Sequence, residues 1–321
     1  MKPFFIIAAL AATILPTAAA PALTPNSPIE LTRTTGKFDF IKVDAANRRL
    51  LACHTGNGTL DIIDVDSSKL IKSVPTGNAQ GVAIDEKGGR YFVSCSKPPQ
   101  LTIVDSNKLE VIARVPLPAP ADLCAYSASV NHAFVDNDEK PEMWVIDPEA
   151  KAIVTTIPMP GAGLEDIGLN ADDTFLFQNL KATSELAKID PKTQTVLTKW
   201  PTTPAANPHG FAIMKTNAVL IAGGGGKLAL LDLASGKVLA SCDITPKVDE
   251  IAYDDALGRA YCASGTGQIS VVFVSQNKLT PLGNVPSAPG AHSIAVDPKT
   301  HQVWIVFAKD NKPYVQSFTE Q

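Results

Sequence analysis

Two histidines and five other polar residues recur at one position of a repeated sequence segment. The segments read FDFIKVD, AQGVAID, ADLCAYS, LEDIGLN, PHGFAIM, VDEIAYD and AHSIAVD. Aligned on their apolar cores, they share a second column of polar side chains: Asp39, Gln80, Asp122, Glu165, His209, Asp249 and His292. Carboxylates and imidazoles can bind a small ligand, hold a metal or activate water. No local motif selects among these chemistries, so the fold must bring the seven residues together.

Four members of this column form a candidate metal set. His209, Asp249, His292 and Asp39 belong to consecutive segments once the chain closes on itself, and two imidazoles with two carboxylates suit zinc, manganese or iron. One alternative is a site for an organic or anionic ligand. Another is that these side chains only hydrogen-bond neighbouring backbone and water. The sequence leaves all three open and predicts no cofactor beyond a possible divalent metal.

The elements that must position these residues repeat about every 42 residues. Equivalent turn positions are occupied by Asp66, Asp105, Asp147, Asp190, Asp232 and Ser275. Each copy contains four short runs rich in Val, Ile, Phe and Tyr, separated by Gly, Asp and Asn turns, which indicates β-strands. A four-stranded unit of this length is typical of a propeller blade, and seven copies predict an all-β, seven-bladed β-propeller with four-stranded antiparallel blades.

The two ends of the chain indicate how the ring closes. The seventh copy ends one strand short, whereas a spare strand, SPIELTRTTG (27–36), precedes the first copy. Pairing the spare strand into the last blade would remove two exposed sheet edges. We therefore predict a single propeller domain over residues 23–321, closed by its N-terminal strand.

The repeat resembles the YVTN-repeat, YncE-like family of seven-bladed β-propellers. The resemblance rests on the pattern V-D-x-x-x-x-K followed by P-x-G, and on the next strand, which ends in A-(apolar)-D-x-x-G. It covers nearly all of the chain after residue 22. It implies an exported propeller whose inner strands line a central channel. Related propellers serve as binding scaffolds, lactonases, and quinoprotein or haem-enzyme domains, so the fold does not choose the function.

The N-terminus and the composition bound the cellular setting. Residues 1–22 have a basic Lys2, an apolar stretch of about 12 residues and small residues thereafter, which indicates a signal peptide. That stretch is too short to cross a bilayer, so we expect a periplasmic or secreted protein without a transmembrane segment in the mature chain. The net charge is −4, without a stretch rich in Lys or Arg, so nucleic acid is an unlikely partner. A small molecule or a protein is the expected partner, and the chain is predicted to be a monomer.

Other motifs receive structural interpretations. Cys53, Cys95 and Cys262 fall on second strands and are predicted to be buried thiols. The acidic stretch DNDEKPE (136–142) is interpreted as a solvated loop, because it lacks the spacing of a calcium loop. The stretch AGGGGK (222–227) is interpreted as a tight turn, because no helix follows it.

Three functions are compatible with the sequence. The leading hypothesis is a binding or interaction scaffold for a small ligand or a protein partner at the channel mouth. The alternative is a lactonase-like or metal-dependent hydrolase that uses the acids and histidines of the column. A further alternative is a quinoprotein-like oxidoreductase platform. The sequence does not decide whether the protein is an enzyme.

Overall fold

Antiparallel β-sheet forms all the regular secondary structure in the computed structural model, which describes residues 22–32 and 34–321. The predicted signal peptide falls almost entirely on residues 1–21, outside the described residues. Within the described ranges there is no helix at all, and hence none that is long and apolar enough to span a membrane.

The strands follow one another as an N-terminal pair and seven blades. The N-terminal pair is β1 (Leu23–Pro25) and β2 (Ile29–Glu30). Blades 1 and 2 are β3 (Ile41–Asp44), β4 (Arg49–His54), β5 (Thr59–Asp64), β6 (Leu70–Pro75), and β7 (Ala79–Asp85), β8 (Arg90–Ser96), β9 (Pro99–Asp105), β10 (Glu110–Pro116). Blades 3 and 4 are β11 (Ala121–Ser127), β12 (His132–Asn137), β13 (Glu142–Asp147), β14 (Ala152–Pro158), and β15 (Leu164–Leu169), β16 (Leu176–Leu180), β17 (Glu185–Asp190), β18 (Thr195–Pro201). Blades 5, 6 and 7 are β19 (Pro208–Met214), β20 (Ala218–Gly223), β21 (Lys227–Asp232), β22 (Val238–Asp243); β23 (Val248–Asp254), β24 (Arg259–Ser264), β25 (Gln268–Ser275), β26 (Lys278–Pro286); and β27 (Ile294–Val296), β28 (Val303–Lys309), β29 (Lys312–Glu320).

The blades form a closed ring around their first strands. In each of the first six blades, four strands pair antiparallel in chain order. The first strands of neighbouring blades contact one another in a continuous circuit, β3 to β7, β11, β15, β19, β23, β27 and back to β3. These first strands therefore line the central channel, and the predicted seven-bladed propeller is confirmed.

The last blade is completed by the N-terminal segment, as predicted. Both β1 and β2 pair with β29, with Leu23 opposite Glu320 and Ile29 opposite Val315. The observed pairing differs in detail from the predicted strand over residues 27–36, because it begins at Leu23 and is interrupted before Ile29. Prolines at positions 25 and 28 explain the interruption, since a proline has no N–H to donate to a ladder.

The hydrophobic core lies between adjacent blades. Strands such as β16 are buried along their whole length, because both faces of each sheet pack against a neighbour. Such strands read in the sequence as continuous apolar runs rather than as alternating patterns. Cys53, Cys95 and Cys262 lie in this core as free thiols with no exposed surface, in agreement with the sequence analysis.

Candidate functional site

The polar column of the repeat lies where the first strand of each blade leaves its regular ladder. In blades 2 to 6 the pairing between first and second strands shifts register just after the strand begins. The residues beside or within these bulges are Gln80, Asp122, Glu165, His209 and Asp249. In blades 1 and 7, Asp39 and His292 precede the regular strands β3 and β27. A bulge turns a side chain out of the pleat, which lets these residues meet at one end of the channel, here called the channel mouth.

Four members of the column form a hydrogen-bonded chain across blades 4 to 7. The Nδ1 atom of His209 lies 3.1 Å from Oδ1 of Asp249 and 3.3 Å from Oε2 of Glu165. The other carboxylate oxygen of Asp249 lies 2.9 Å from Nδ1 of His292. At the far end, Nζ of Lys181 lies 2.8 Å from Glu165. The charges alternate along this chain, so each acid is paired with at least one base.

The pairing fixes the charge state of the chain. Hydrogen bonds to Asp249 and then to Glu165 raise the pKa of His209 to about 9, against the effect of its partial burial. Burial alone would raise the pKa of Asp249, but its hydrogen bonds to His209 and His292 hold that pKa well below the usual range. Burial lowers the pKa of His292, yet the bond to Asp249 outweighs burial and leaves the pKa raised. At neutral pH His209 is therefore an imidazolium ion beside the carboxylate of Asp249, and the same carboxylate favours the protonated form of His292.

The remaining members of the column lie outside this chain. Burial raises the pKa of Asp39 to about 6, although the nearby charge of His292 opposes the change. Burial also raises the pKa of Asp122 well above its usual value, and the carboxyl of Asp136 adds to the effect. The Gln80 Oε1 atom accepts a hydrogen bond of 3.0 Å from the hydroxyl of Thr55. The structure thus separates the column into a charged chain in blades 4 to 7 and a second group in blades 1 to 3, where burial raises the pKa of two acids and Gln80 is hydrogen-bonded.

Glycines lie beside both histidines of the chain, each close enough that an added Cβ atom would be in ordinary van der Waals contact with the histidine. A Cβ atom placed on Gly224 would lie 3.6 Å from Nε2 of His209, and one placed on Gly265 would lie 4.0 Å from Cβ of His292. A Cβ on Gly225 would meet nothing within 4 Å. Because Asp249 is hydrogen-bonded to Nδ1 of both His209 and His292, Nε2 is the ring nitrogen of each histidine that Asp249 does not engage.

The most compact set of metal-binding atoms differs from the set predicted by sequence. Among the described residues, donor atoms of Glu165, His209 and Asp249 lie within 4.8 Å of one another. The predicted set contained His209 and Asp249 as well, but it had His292 and Asp39 in place of Glu165. Glu165 takes part because its carboxylate faces His209 across the gap between blades 4 and 5.

The second strand of blade 4 supplies a layer of two amide side chains that hydrogen-bond backbone carbonyls of the first strands at the channel mouth. The side-chain amide of Asn179 donates to the carbonyl oxygen of His209, at 2.5 Å. The amide of the neighbouring Gln178 donates to the carbonyl oxygen of Glu165, at 2.6 Å. Sequence analysis missed this layer, although Gln and Asn in the otherwise apolar run LFQNL were a usable signal.

A buried histidine in blade 1 was also missed. Nδ1 of His54 lies 2.7 Å from Oδ2 of Asp61, and its Nε2 lies 3.2 Å from the carbonyl oxygen of Gly36. The hydroxyl of Thr59 donates to the other oxygen of Asp61, at 2.8 Å. His54 and Asp61 have no exposed surface. Their hydrogen bonds therefore connect the segment around Gly36 to blade 1 and do not face a ligand.

Comparison with known proteins places the chain in a family. Residues 26–209 match the family described as "Cytochrome D1 heme domain". Two relatives titled "Uncharacterized protein YncE", from Salmonella typhi and Salmonella typhimurium (strain LT2), are 27% and 26% identical over 158 residues. The match covers 47% of this chain and 44% of each relative, so less than half of the relatives' length is represented.

Solved structures agree with the fold. A structure titled "Kuenenia stuttgartiensis Hydrazine Synthase" aligns with a TM-score of 0.76 at 15% identity, over 88% of this chain and 96% of that chain. A structure titled "Crystal structure of RRP9 WD40 repeats" aligns with a TM-score of 0.79 at 9% identity, over 93% of this chain and 99% of that chain. At these identities the likeness concerns the fold alone. This chain is a YncE-like seven-bladed propeller and belongs to the cytochrome D1 heme domain family.

Proposed function

We propose that the protein is a non-enzymatic binding propeller that takes a small ligand at the channel mouth. The ligand carries a carboxylate or a comparable oxyanion, which accepts hydrogen bonds from His209 and His292. The observation that carries this proposal is the chain from Glu165 through His209 and Asp249 to His292. It fixes both imidazole rings and leaves one nitrogen of each available.

The protonation of the chain supports recognition of an acceptor group. An imidazolium has two N–H donors, and Asp249 accepts from only one donor on each ring, so Nε2–H remains free on His209 at neutral pH and on His292 when that ring is protonated. Hydrogen bonds from a charged donor to an anionic oxygen are about twice as strong as neutral ones. The absence of side chains at Gly224 and Gly265 keeps the approach to the two rings unobstructed from these positions, and the space around Gly225 is open.

The same charge state disfavours hydrolysis. A general base must be unprotonated near the working pH, whereas a pKa of about 9 keeps His209 protonated at neutral pH. Asp249 is a poor base because its two histidine partners lower its pKa. A lactonase-like reaction would need a base outside this hydrogen-bonded chain, and Asp39, with a pKa raised to about 6, is the member of the column best suited to that role. The pairing of Glu165, His209, Asp249 and His292 itself is explained better by binding.

A haem, which the family description names, does not fit this channel mouth. Iron ligation, like the binding of any metal, would have to displace the proton from His209. A macrocycle also needs flat apolar walls, whereas every residue of the column at the mouth is charged or amide-bearing. We therefore derive no chemistry from a haem for this chain, and no residue here specifically favours a quinoprotein-like platform.

A divalent metal is the second candidate ligand. The observation in its favour is the close approach of donor atoms from Glu165, His209 and Asp249. A metal would have to displace the proton that His209 shares with these carboxylates, so its binding should release protons and weaken at acid pH. An oxyanion should show the opposite trend, because it needs the imidazolium form.

Titration calorimetry on the mature chain (23–321) tests both candidates. The probes are small mono- and dicarboxylic acids, and separately Zn²⁺ and Mn²⁺ added to chelator-treated protein. We expect saturable binding of at least one carboxylate at pH 6.5 that weakens above pH 9 and is lost in the His209→Gln/His292→Gln double variant. His132→Gln, in blade 3, is the matched control.

Two outcomes would contradict the oxyanion proposal. One is the absence of carboxylate binding by the wild type. The other is carboxylate binding that the double variant retains. Binding of Zn²⁺ or Mn²⁺ that strengthens with pH and requires His209 would instead support the second candidate.

Cellular location, partner and assembly complete the proposal. We infer a periplasmic or secreted monomer of one domain, residues 23–321, released by cleavage near residue 22 and free to present the same face to a protein partner. Mass spectrometry of the purified mature protein should find its first residue at about position 21–23, as expected for a small-residue cleavage site. An uncleaved N-terminus would overturn the export inference.

A further inference from the structure

One acidic residue of the stretch 136–142 lies in the channel wall rather than in a solvated loop. Asp136 belongs to β12 and has no exposed surface. The exposed part of the stretch starts at Asp138. The interpretation of the stretch as a solvated loop is therefore wrong for Asp136. The β-strand continues into the acidic stretch and carries its first carboxylate inward.

Asp136 faces a second acid across the bulge of blade 3. Ala121 pairs with Asn137 and Cys124 pairs with Val135, which leaves Asp122 opposite Asp136. Burial raises the pKa of both carboxyls well above the usual range, and the charge of Asp138 adds to each effect. Buried acids in such proximity require a proton or a cation.

The neighbouring blade adds a polar side chain that contacts Asp136. The amide nitrogen of Gln178 lies 3.4 Å from Oδ2 of Asp136 while donating to the carbonyl oxygen of Glu165. Gln178 is fully buried. Its Oε1 atom and Oδ1 of Asp136 are both buried without a hydrogen-bond partner among the described residues.

The unpartnered atoms are all acceptors. Buried acceptor oxygens are almost always satisfied by a donor, a water or an ion. The donors near this group, the amides of Gln178 and of the Leu123 backbone, are already engaged. The atoms without a partner are oxygens only, which a proton, a water or a hard cation satisfies.

We propose that a hard cation of the calcium type binds between blades 3 and 4. Its protein ligands are the carboxylates of Asp122 and Asp136 and the amide oxygen of Gln178. Ca²⁺ takes six to eight oxygen ligands from carboxylates, amides and waters. Water completes the shell. The set contains no nitrogen, which distinguishes it from the histidine-containing group at the channel mouth.

Calorimetric titration of Ca²⁺ into chelator-treated mature protein tests this site, together with melting temperatures with and without Ca²⁺. We expect one ion per chain and a melting temperature raised by Ca²⁺. Asp136→Asn should weaken Ca²⁺ binding roughly tenfold or more. This near-isosteric change should fold, because the new amide supplies a donor to the buried acceptors. Asp243→Asn, which changes an exposed acid of blade 5, should bind Ca²⁺ like the wild type.

Each other outcome has a defined meaning. The proposal would be overturned if the wild type bound no Ca²⁺ and its melting temperature did not change when Ca²⁺ was added. The acid pair would then be stabilised by a shared proton instead. Equal Ca²⁺ affinity in Asp136→Asn and wild type would also overturn it. Loss of Ca²⁺ binding in His209→Gln, with retention in Asp136→Asn, would place the ion at the channel mouth instead. Failure of carboxylate binding at the mouth would leave this site unaffected.

Discussion

Replacing His209 by glutamine should remove a specific pH dependence of the stability. The pKa of His209 rises from 6.5 in the unfolded chain to about 9 in the fold. A raised pKa means that the folded state holds the proton more tightly than the unfolded state. The resulting stabilisation is fully present below pH 6.5 and is lost as the pH rises through 9. The His209→Gln variant has no such proton to lose.

The size of the effect follows from the shift in pKa. One unit corresponds to about 1.4 kcal/mol, so the wild type should lose about 3 kcal/mol of its free energy of unfolding relative to the variant between pH 6.5 and 9. The side chain of His209 is only 22% exposed, so solvent screening removes little of this difference. Asp249→Asn should reduce the same pH dependence, because Asp249 is the main cause of the raised pKa.

Urea unfolding followed by tryptophan fluorescence at several pH values between 6 and 9.5 measures the effect. The relevant quantity is the difference in the free energy of unfolding between wild type and variant at each pH. Taking this difference removes the contribution of groups that titrate in the same way in both proteins. Parallel profiles for wild type and His209→Gln would refute the assigned charge state of the chain.

Three further predictions concern packing, closure and thiols. Gly210→Ala should lower the free energy of unfolding by about 1–3 kcal/mol, because its Cβ would lie 2.3 Å from the carbonyl oxygen of Asp249; denaturant titration should show no such loss for Gly225→Ala. Deleting residues 22–32 should lower the melting temperature and cause concentration-dependent association in light scattering, since it exposes the edge of β29; an unchanged monodisperse protein would argue against ring closure by this segment. Cys242 is the one half-buried thiol of the five, so a thiol reagent should modify it first in the folded protein. The reaction should be slow, because burial raises the pKa of Cys242 to about 11. The other four thiols should react only after unfolding.

The fold could be predicted from the sequence because the pattern of strands and turns that specifies one blade recurs seven times. A single apolar run such as QGVAID is ambiguous, but recurrence at a period near 42 fixes strand, turn and blade together. The same recurrence identified the polar column, since His209 and Asp249 occupy equivalent positions of adjacent copies. The N-terminal closing strand was placed too late in the chain because Pro25 and Pro28 obscure its start.

The contacts within the column could not be predicted in the same way. Alignment makes all seven positions equivalent, whereas the structure joins Glu165, His209 and Asp249 and leaves Gln80 hydrogen-bonded to Thr55. Which neighbours meet depends on side-chain length, which varies from copy to copy even though the bulge recurs in blades 2 to 6. Asp136 was missed for a related reason, because acidic composition indicates a loop even where the first acid ends a buried strand.

The protonation state of His209 tests the central claim most directly. Nitrogen NMR of ¹⁵N-histidine-labelled protein at pH 7.5, assigned with the His209→Gln variant, reports both ring nitrogens separately. If the chain is charged as described, both nitrogens of His209 carry protons at this pH. The Nε2 signal should then shift when a carboxylate ligand is added and binds. A neutral ring at pH 7.5, with one unprotonated nitrogen, would contradict the account.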